Sequence, residues 1–150
     1  MDELTTKRLS WFGGNQDALS VYLMFIKLSH TWDDLIDKNV SLTSEEINHA
    51  FMIPLIYLPA NPFYRAIQAD ILPMLRMVIS AYETANTFEK LRDPHGIEIS
   101  HSLRYAAGHI VAYMIHFCIG DDAARQVMPD MWKDIFYERF NDYREEHINA

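Results

Sequence analysis

The sequence predicts an all-α protein, a single compact bundle of about five to six helices that forms one domain over residues 1–150. No window alternates apolar and polar residues as a half-buried strand would. Only five glycines and six prolines interrupt the chain. With 49% hydrophobic and 23% charged residues, the composition is that of an ordinary globular domain, and the chain is long enough to bury a core.

Capping signals and helix breakers set the limits of each expected helix. Thr43 followed by Glu46 has capping-box spacing, and Asn61 before Pro62 is a cap followed by a first-turn proline. Pro73 kinks or restarts the fourth helix, and RDPHG is a break. The expected spans, in chain order, are a short helix ending at Gly13 and Gly14, one from about Asn15 or Asp17 to Asp37, one from Thr43 toward Ile53, one from Pro62 to about Leu91, one over roughly Glu98–Ile119, and a last one starting near Pro129.

Charge and cysteine content exclude some classes of function. A formal charge of -8 and a pI near 5.2 repel nucleic-acid phosphates and anionic lipid, so we expect no nucleic-acid binding. The longest apolar run, IVAYMIHFCIG, is shorter than the roughly 20 residues that span a bilayer, and the N-terminus does not read as a signal peptide. Cys118, the only cysteine, cannot form an internal disulfide. We therefore expect a cytoplasmic protein that does not bind membranes.

The second helix ends in an acidic cluster. At 100° per residue, its main arc is apolar and is expected to face the core. A second arc carries apolar residues near the start of the helix and polar ones near its end, which is the pattern of a pocket for an amphipathic ligand with a charged head. The main arc comprises Val21, Tyr22, Phe25, Leu28, Trp32, Leu35 and Ile36, and the second arc comprises Leu19, Leu23, Ile26, His30, Asp33, Asp34 and Asp37.

The aspartates need a counter-charge. Negative charge is unfavourable at a helix C-terminus, where the helix dipole already places partial negative charge. Mg²⁺ is one candidate, because it prefers oxygen ligands and bridges carboxylates to phosphates. A bidentate arginine from a neighbouring helix is the other. The four arginines considered are Arg65, Arg76, Arg92 and Arg104.

The run Asp33-Asp34-Leu35-Ile36-Asp37 resembles the DDxxD motif of trans-isoprenyl diphosphate synthases, which are all-α enzymes. That resemblance implies that Asp33, Asp34 and Asp37 bind Mg²⁺, which holds the diphosphate of a prenyl substrate. All-α nucleotide pyrophosphohydrolases also hold Mg²⁺ with carboxylates at positions i and i+3, so a nucleotide is a second candidate substrate. Without such a substrate, we expect no cofactor.

The fifth expected helix carries a second pattern. One arc of this helix is mostly apolar and is expected to face the core, and the opposite arc combines histidine with tyrosine. The opposite arc is either a semi-buried surface covered by another helix or a partner, or a wall that lines a ligand site. The core arc comprises Ile99, Leu103, Ala106, Ile110, Met114, Phe117 and Cys118, and the opposite arc comprises His101, Tyr105, His109, Ala112 and His116, with Arg104 and Tyr113 at its edges.

The stretches SHTWDDLIDKN, LPANPFYR and SLRY resemble those of small proteins encoded by tailed phages and prophages. That resemblance implies an accessory or host-interaction protein but no particular activity. Two hypotheses follow. The first is a non-enzymatic interaction protein that binds a protein partner or a second copy of itself. The alternative is a Mg²⁺-dependent enzyme acting on a diphosphate-bearing substrate through Asp33, Asp34 and Asp37.

Overall fold

The computed structural model describes residues 1–38 and 40–148. The prediction of an all-α fold is confirmed, since this described part of the chain is helical and contains no strand. The elements are α1 (Glu3–Trp11), α2 (Gln16–Asp37), α3 (Ser44–Met52), a π-helical segment (Ile53–Tyr57), α4 (Leu58–Ala60), α5 (Pro62–Leu91), α6 (Pro94–Leu103), α7 (Gly108–Ile119), α8 (Asp121–Ile135) and α9 (Phe140–Ile148).

The chain divides into two compact units, Met1–Ala69 and Asp70–Ala150. The long helix α5 begins in the first unit and ends in the second. Each unit has buried apolar side chains of its own, including Trp11 in the first and Met114 in the second. The sequence contains no linker at the boundary between Ala69 and Asp70, because this boundary falls inside α5.

In the first unit, caps hold the starts of α2 and α5. The Asn15 side chain accepts a hydrogen bond from the Ala18 N–H at 3.0 Å, which is an N-cap of α2. Asn61 caps α5 in the same way through the Tyr64 N–H at 3.0 Å, as its position before a proline predicted. Its amide nitrogen also donates to the carbonyl oxygen of Asp17 at 3.0 Å, which ties the start of α5 to the first turn of α2.

The start of α3 is the predicted capping box. The Thr43 hydroxyl accepts from the Glu46 N–H at 3.1 Å, and the Glu46 carboxylate accepts from the Thr43 N–H at 3.3 Å. The α-helix ends at Met52, before Pro54 as expected, but the chain continues directly into a π-helical segment. Because proline has no N–H to donate to the carbonyl four residues earlier, the chain widens into the π-helical segment, where the Leu58 N–H bonds to the Ile53 carbonyl.

In the second unit, two helices differ from their expected spans. The helix expected over Glu98–Ile119 is two helices, α6 and α7, joined by residues 104–107 in tight i to i−3 hydrogen bonds. Gly108 opens α7, and a side chain there would collide with the ring of Trp132. The last helix, expected to start near Pro129, is also two helices, since α8 begins at Asp121 and contains Pro129, and α9 begins at Phe140.

The predicted core arc of α6 and α7 is partly wrong. Ile99 is 38% exposed and Phe117 is 53% exposed, whereas His101, expected on the opposite arc, is buried. Almost every residue of α7 is apolar, so apolar spacing alone cannot select the buried face. The neighbouring helices select it instead. The residues buried on these helices are Gly96, Ile97, Ser100, His101, Gly108, Ile110, Val111, Met114 and Ile115.

Candidate functional site

The acidic end of α2 is only partly covered. Asp33 and Asp34 are half-buried, while His30 and Asp37 are exposed. Leu35 and Ile36, expected in the core, are also exposed, so that prediction is wrong. The residues that α2 buries are Ala18, Leu19, Val21, Tyr22 and Thr31, so its burial stops before Leu35.

Within residues 1–38 and 40–148, no three histidine, cysteine, aspartate or glutamate side chains are grouped so that they could hold a metal ion. The prediction that Asp33, Asp34 and Asp37 bind Mg²⁺ therefore rests on the sequence alone. Two of the candidate arginines have other contacts. Arg65 donates from Nη1 to the carbonyl oxygens of Pro59 and Ala60, at 3.1 and 2.9 Å, and Arg104 binds Glu89.

His101 lies in an aromatic cluster of the second unit. Its Nε2 donates to the backbone carbonyl oxygen of Glu138 at 3.0 Å. The imidazole also borders an open pocket of about 370 Å³ formed largely by the segment between α8 and α9. Because the ring is buried and its Nε2 proton is engaged by the backbone, the geometry is that of a packing residue. The rings within 5.5 Å of it, between centroids, are those of Tyr105, Phe136, Phe140 and Tyr143.

Of the predicted wall, Tyr105 lies beside His101, whereas His109 and His116 have other neighbours. Tyr105 stacks against Phe136 with ring centroids 4.2 Å apart. His109 is exposed and its ring lies 5.0 Å from that of Trp132. His116 bonds through Nδ1 to Asp121 at 2.8 Å, and this hydrogen bond lowers the pKa of the Asp121 carboxyl. Each of these side chains meets a different part of α8 or of the segment that follows it.

Arg104 belongs to a half-buried polar cluster, which we call the Glu89 cluster and which comprises Asn86, Glu89, Arg104, Tyr143 and His147. Arg104 donates from Nε to the Glu89 carboxylate at 3.0 Å and from Nη2 at 2.5 Å. Nη2 also donates to Asn86 at 2.6 Å. On the other side, the Tyr143 hydroxyl donates to Glu89 at 3.1 Å, and His147 Nε2 lies 3.6 Å from it. The cluster joins α5, the end of α6 and α9.

Buried titratable groups in the second unit are poorly suited to nucleophilic chemistry. Burial, followed by the negative charge of Glu89, raises the pKa of the Tyr143 hydroxyl well above its ordinary value. Burial raises the pKa of the Cys118 thiol to about 11. A thiol with such a pKa is almost entirely protonated near neutral pH, and the thiolate is the reactive form. The half-buried Cys118 is therefore a poor nucleophile near neutral pH.

The first unit contains an exposed apolar surface that the sequence patterns did not reveal. It consists of Phe51, Met52, Leu55, Ile56 and Tyr57, and we call it the 51–57 surface. All five side chains are exposed, and Leu55 reaches 70%. Between residues 51 and 58, only Ile53 and Leu58 are buried. Large apolar side chains scattered singly are normal on a protein surface, but five within seven residues form a patch of the kind used for binding.

Contacts within the 51–57 surface link it to the exposed face of α3. The Tyr57 ring lies 5.8 Å from that of His49, between centroids, and its hydroxyl lies 3.9 Å from the Met52 sulfur. Glu45, His49 and Met52 follow one another at spacings of four and three residues, which places them on one helix face. The helix face that carries Met52 therefore also carries His49 and, about two turns from Met52, the exposed Glu45.

A signal for this surface exists in the sequence. FMIPLIYLPA, residues 51–60, contains ten residues without a charge, and Pro54 and Pro59 fall inside it. A helical segment that is apolar on every side cannot bury all its sides against one small unit. The predicted helix end before Pro54 divides this run into two short pieces, and neither piece by itself indicates an exposed apolar surface.

Comparisons with protein-family models, with curated proteins and with solved structures find no match to this chain. In the described ranges, 1–38 and 40–148, none of the helices has the length and hydropathy needed to cross a bilayer.

Proposed function

We propose that this chain is a non-enzymatic interaction protein that binds a partner through the 51–57 surface. One observation carries the proposal, namely the exposure of five large apolar side chains on the outer side of α3 and the π-helical segment. Leaving this much apolar surface in water is unfavourable by roughly 25 cal/mol per Å². Burial against a partner recovers that free energy, which is the main favourable contribution to most protein association.

The local backbone supports the same proposal. π-helical turns are rare and occur often at functional sites. Here the π-helical segment places Leu55 and Ile56 outward while Ile53 and Leu58 anchor the segment in the first unit. An anchored backbone presents its apolar side chains with little conformational freedom left to lose, which favours binding.

An accessory role is consistent with the other features of the chain. The resemblance to small tailed-phage and prophage proteins implies an accessory or host-interaction protein. Cys118 is the only cysteine in the sequence and cannot form an internal disulfide, and we place the protein in the cytoplasm.

Selection of binding peptides from a random library tests the proposal. The selected peptides are measured by fluorescence anisotropy against wild type, Leu55→Ser and Leu91→Ser. Leu91 is the matched control, because it is 69% exposed against 70% for Leu55 and lies at the end of α5. We expect Leu55→Ser to weaken binding at least about tenfold, which is a loss of about 1.4 kcal/mol. Leu91→Ser should leave it unchanged.

A library that yields no peptide, or peptides that bind Leu55→Ser as tightly as wild type, would refute this function for the 51–57 surface. Circular dichroism of each variant shows that its helices are intact, so that a loss of binding is assigned to the surface and not to unfolding.

A further inference from the structure

We propose that the partner of the 51–57 surface presents a cationic amphipathic helix, with apolar side chains on one face and lysine or arginine beside them. The inference rests on the proposed function and specifies the chemistry of the partner. It is carried by the charges that accompany the exposed apolar side chains in the first unit.

The charge of the surrounding chain is strongly one-sided. Between residues 33 and 60 there are five carboxylates, and Lys38 is the only lysine or arginine; the next cation, Arg65, is engaged by the carbonyl oxygens of Pro59 and Ala60. On α3, the face that leads to Met52 starts with the exposed Glu45. A partner that buries its apolar side chains on the 51–57 surface therefore brings its flanking residues near negative charge. Lysine or arginine at those flanks is favoured, and aspartate or glutamate is repelled.

The end of α2 repeats the combination of apolar and acidic groups. Leu35 and Ile36 are exposed there, next in sequence to Asp34 and Asp37. Helices α2 and α3 contact each other within the first unit. Two neighbouring helices thus both present apolar side chains together with carboxylates, and an amphipathic helix laid onto an apolar face is a common mode of peptide recognition.

The same charges disfavour two other occupants. A second copy of this chain carries a net charge of -8 and the same five carboxylates, so association with itself brings like charges together. A membrane surface with anionic lipids is repelled for the same reason. A cationic protein segment gains both from burial of apolar surface and from opposite charge.

The test uses two synthetic peptides of about 18 residues, or five helical turns, with leucine at the same positions. One carries lysine and the other glutamate at every polar position. Each peptide is titrated against the full chain by fluorescence anisotropy. We expect the Leu/Lys peptide to bind at least about tenfold more tightly than the Leu/Glu peptide, with an affinity that falls as salt is added.

Paired variants separate the contribution of apolar burial from that of charge. Leu55→Ser should weaken binding of the Leu/Lys peptide at least about tenfold, as for any ligand of the surface. Asp37→Asn/Glu45→Gln should weaken the Leu/Lys peptide and strengthen the Leu/Glu peptide. Glu83→Gln/Glu145→Gln removes two exposed carboxylates of the second unit and is the matched control, expected to change neither affinity.

Equal affinity for the two peptides, with both dependent on Leu55, would overturn the cationic partner while leaving the proposed function in place. If Leu55→Ser does not weaken binding of the Leu/Lys peptide, the proposal is also overturned, because the peptide is then attracted by net charge alone. Concentration-dependent dimerisation that Leu55→Ser abolishes would assign the surface to a second copy. Leu55-dependent binding to phosphatidylcholine vesicles would assign it to a membrane surface, and either result would overturn the proposal.

Discussion

The Arg104 guanidinium donates hydrogen bonds from Nε and Nη2 to the Glu89 carboxylate, and each side chain is only 11% exposed. Glu89 lies near the end of α5, and Arg104 follows the last residue of α6. The Arg104 guanidinium also lies 4.4 Å from the ring centroid of Tyr82. The pair therefore connects two helices of the second unit across the break at RDPHG.

Removal of Glu89 should be strongly destabilising. Glu89→Ala leaves the arginine charge in a mostly buried position, and the loss of one partner of such a pair lowers the free energy of unfolding by about 3–5 kcal/mol. Glu89→Leu/Arg104→Met should recover most of that loss, since it removes both charges. Urea denaturation followed by circular dichroism measures both variants.

A surface ion pair is the control for that experiment. Asp122 and Arg125 are also paired, but their side chains are 98% and 63% exposed. Asp122→Ala should leave the free energy of unfolding nearly unchanged, because exposed pairs contribute little. If Glu89→Ala costs no more than Asp122→Ala, the Glu89 cluster does not stabilise the second unit as described.

Asn61 should be critical for the first unit, because its side chain makes two hydrogen bonds from a buried position. Asn61→Ala removes the cap of α5 and the bond to the Asp17 carbonyl, and we expect a loss of about 1–3 kcal/mol. Asn61→Ser retains a cap acceptor but not the reach to Asp17, so its stability should lie between those of wild type and Asn61→Ala. Equal stability of all three proteins in denaturant would contradict the role assigned to this side chain.

Gly108→Ala tests the close approach of Trp132 to α7. Alanine in place of glycine normally stabilises a helix by roughly 0.5–1 kcal/mol. Here the added Cβ would overlap the Trp132 ring, so we expect destabilisation of about 1–3 kcal/mol instead. In Gly108→Ala/Trp132→Leu, the total loss should be smaller than the sum of the two single losses, because the smaller side chain relieves the overlap. A stabilising effect of Gly108→Ala alone would show that α7 and Trp132 are not in close contact.

Cys118 gives a pH-dependent prediction. Burial raises the pKa of its thiol from 9.0 to about 11, so the folded protein favours the protonated form. The associated stability is fully present below pH 9 and is lost as the pH rises toward 11. The rate of alkylation by iodoacetamide in the folded protein should rise until about pH 11. In urea-unfolded protein it should level off near the ordinary thiol pKa of 9.0.

Cys118→Ala is the control for the stability measurement. Between pH 9 and 11 its free energy of unfolding should fall less steeply than that of wild type, and the difference isolates the thiol from the tyrosines. An alkylation profile with the same midpoint in folded and unfolded protein would contradict burial of the thiol.

Local signals predicted where α2, α3 and α5 start. The capping box at Thr43 and Glu46 and the cap at Asn61 both form as the sequence indicated. The span of α2 was also predicted, since the helix expected from about Asn15 or Asp17 to Asp37 is Gln16–Asp37. These features depend on hydrogen bonds between residues two or three positions apart, so their partners are visible in the sequence itself.

The faces of the helices were less predictable. Apolar spacing placed Leu35, Ile36, Ile99 and Phe117 in a core, and all four are exposed. The spacing of apolar residues shows that a helix has a side suited to burial, but burial itself needs another element packed against that side. The Glu89 cluster shows the same limit, because Glu89 and Arg104 come from different helices and no short-range pattern relates them.

By itself, the sequence determined that the chain is helical, where α2, α3 and α5 begin, and that the protein is strongly acidic. Only the tertiary structure decided which apolar side chains are covered, that His101 and Arg104 serve packing and a buried ion pair, and that residues 51–57 face solvent. The physical reason is how far apart in the sequence the interacting residues lie. Helix formation and capping act between near neighbours, whereas burial and ion pairing depend on which distant segments come into contact.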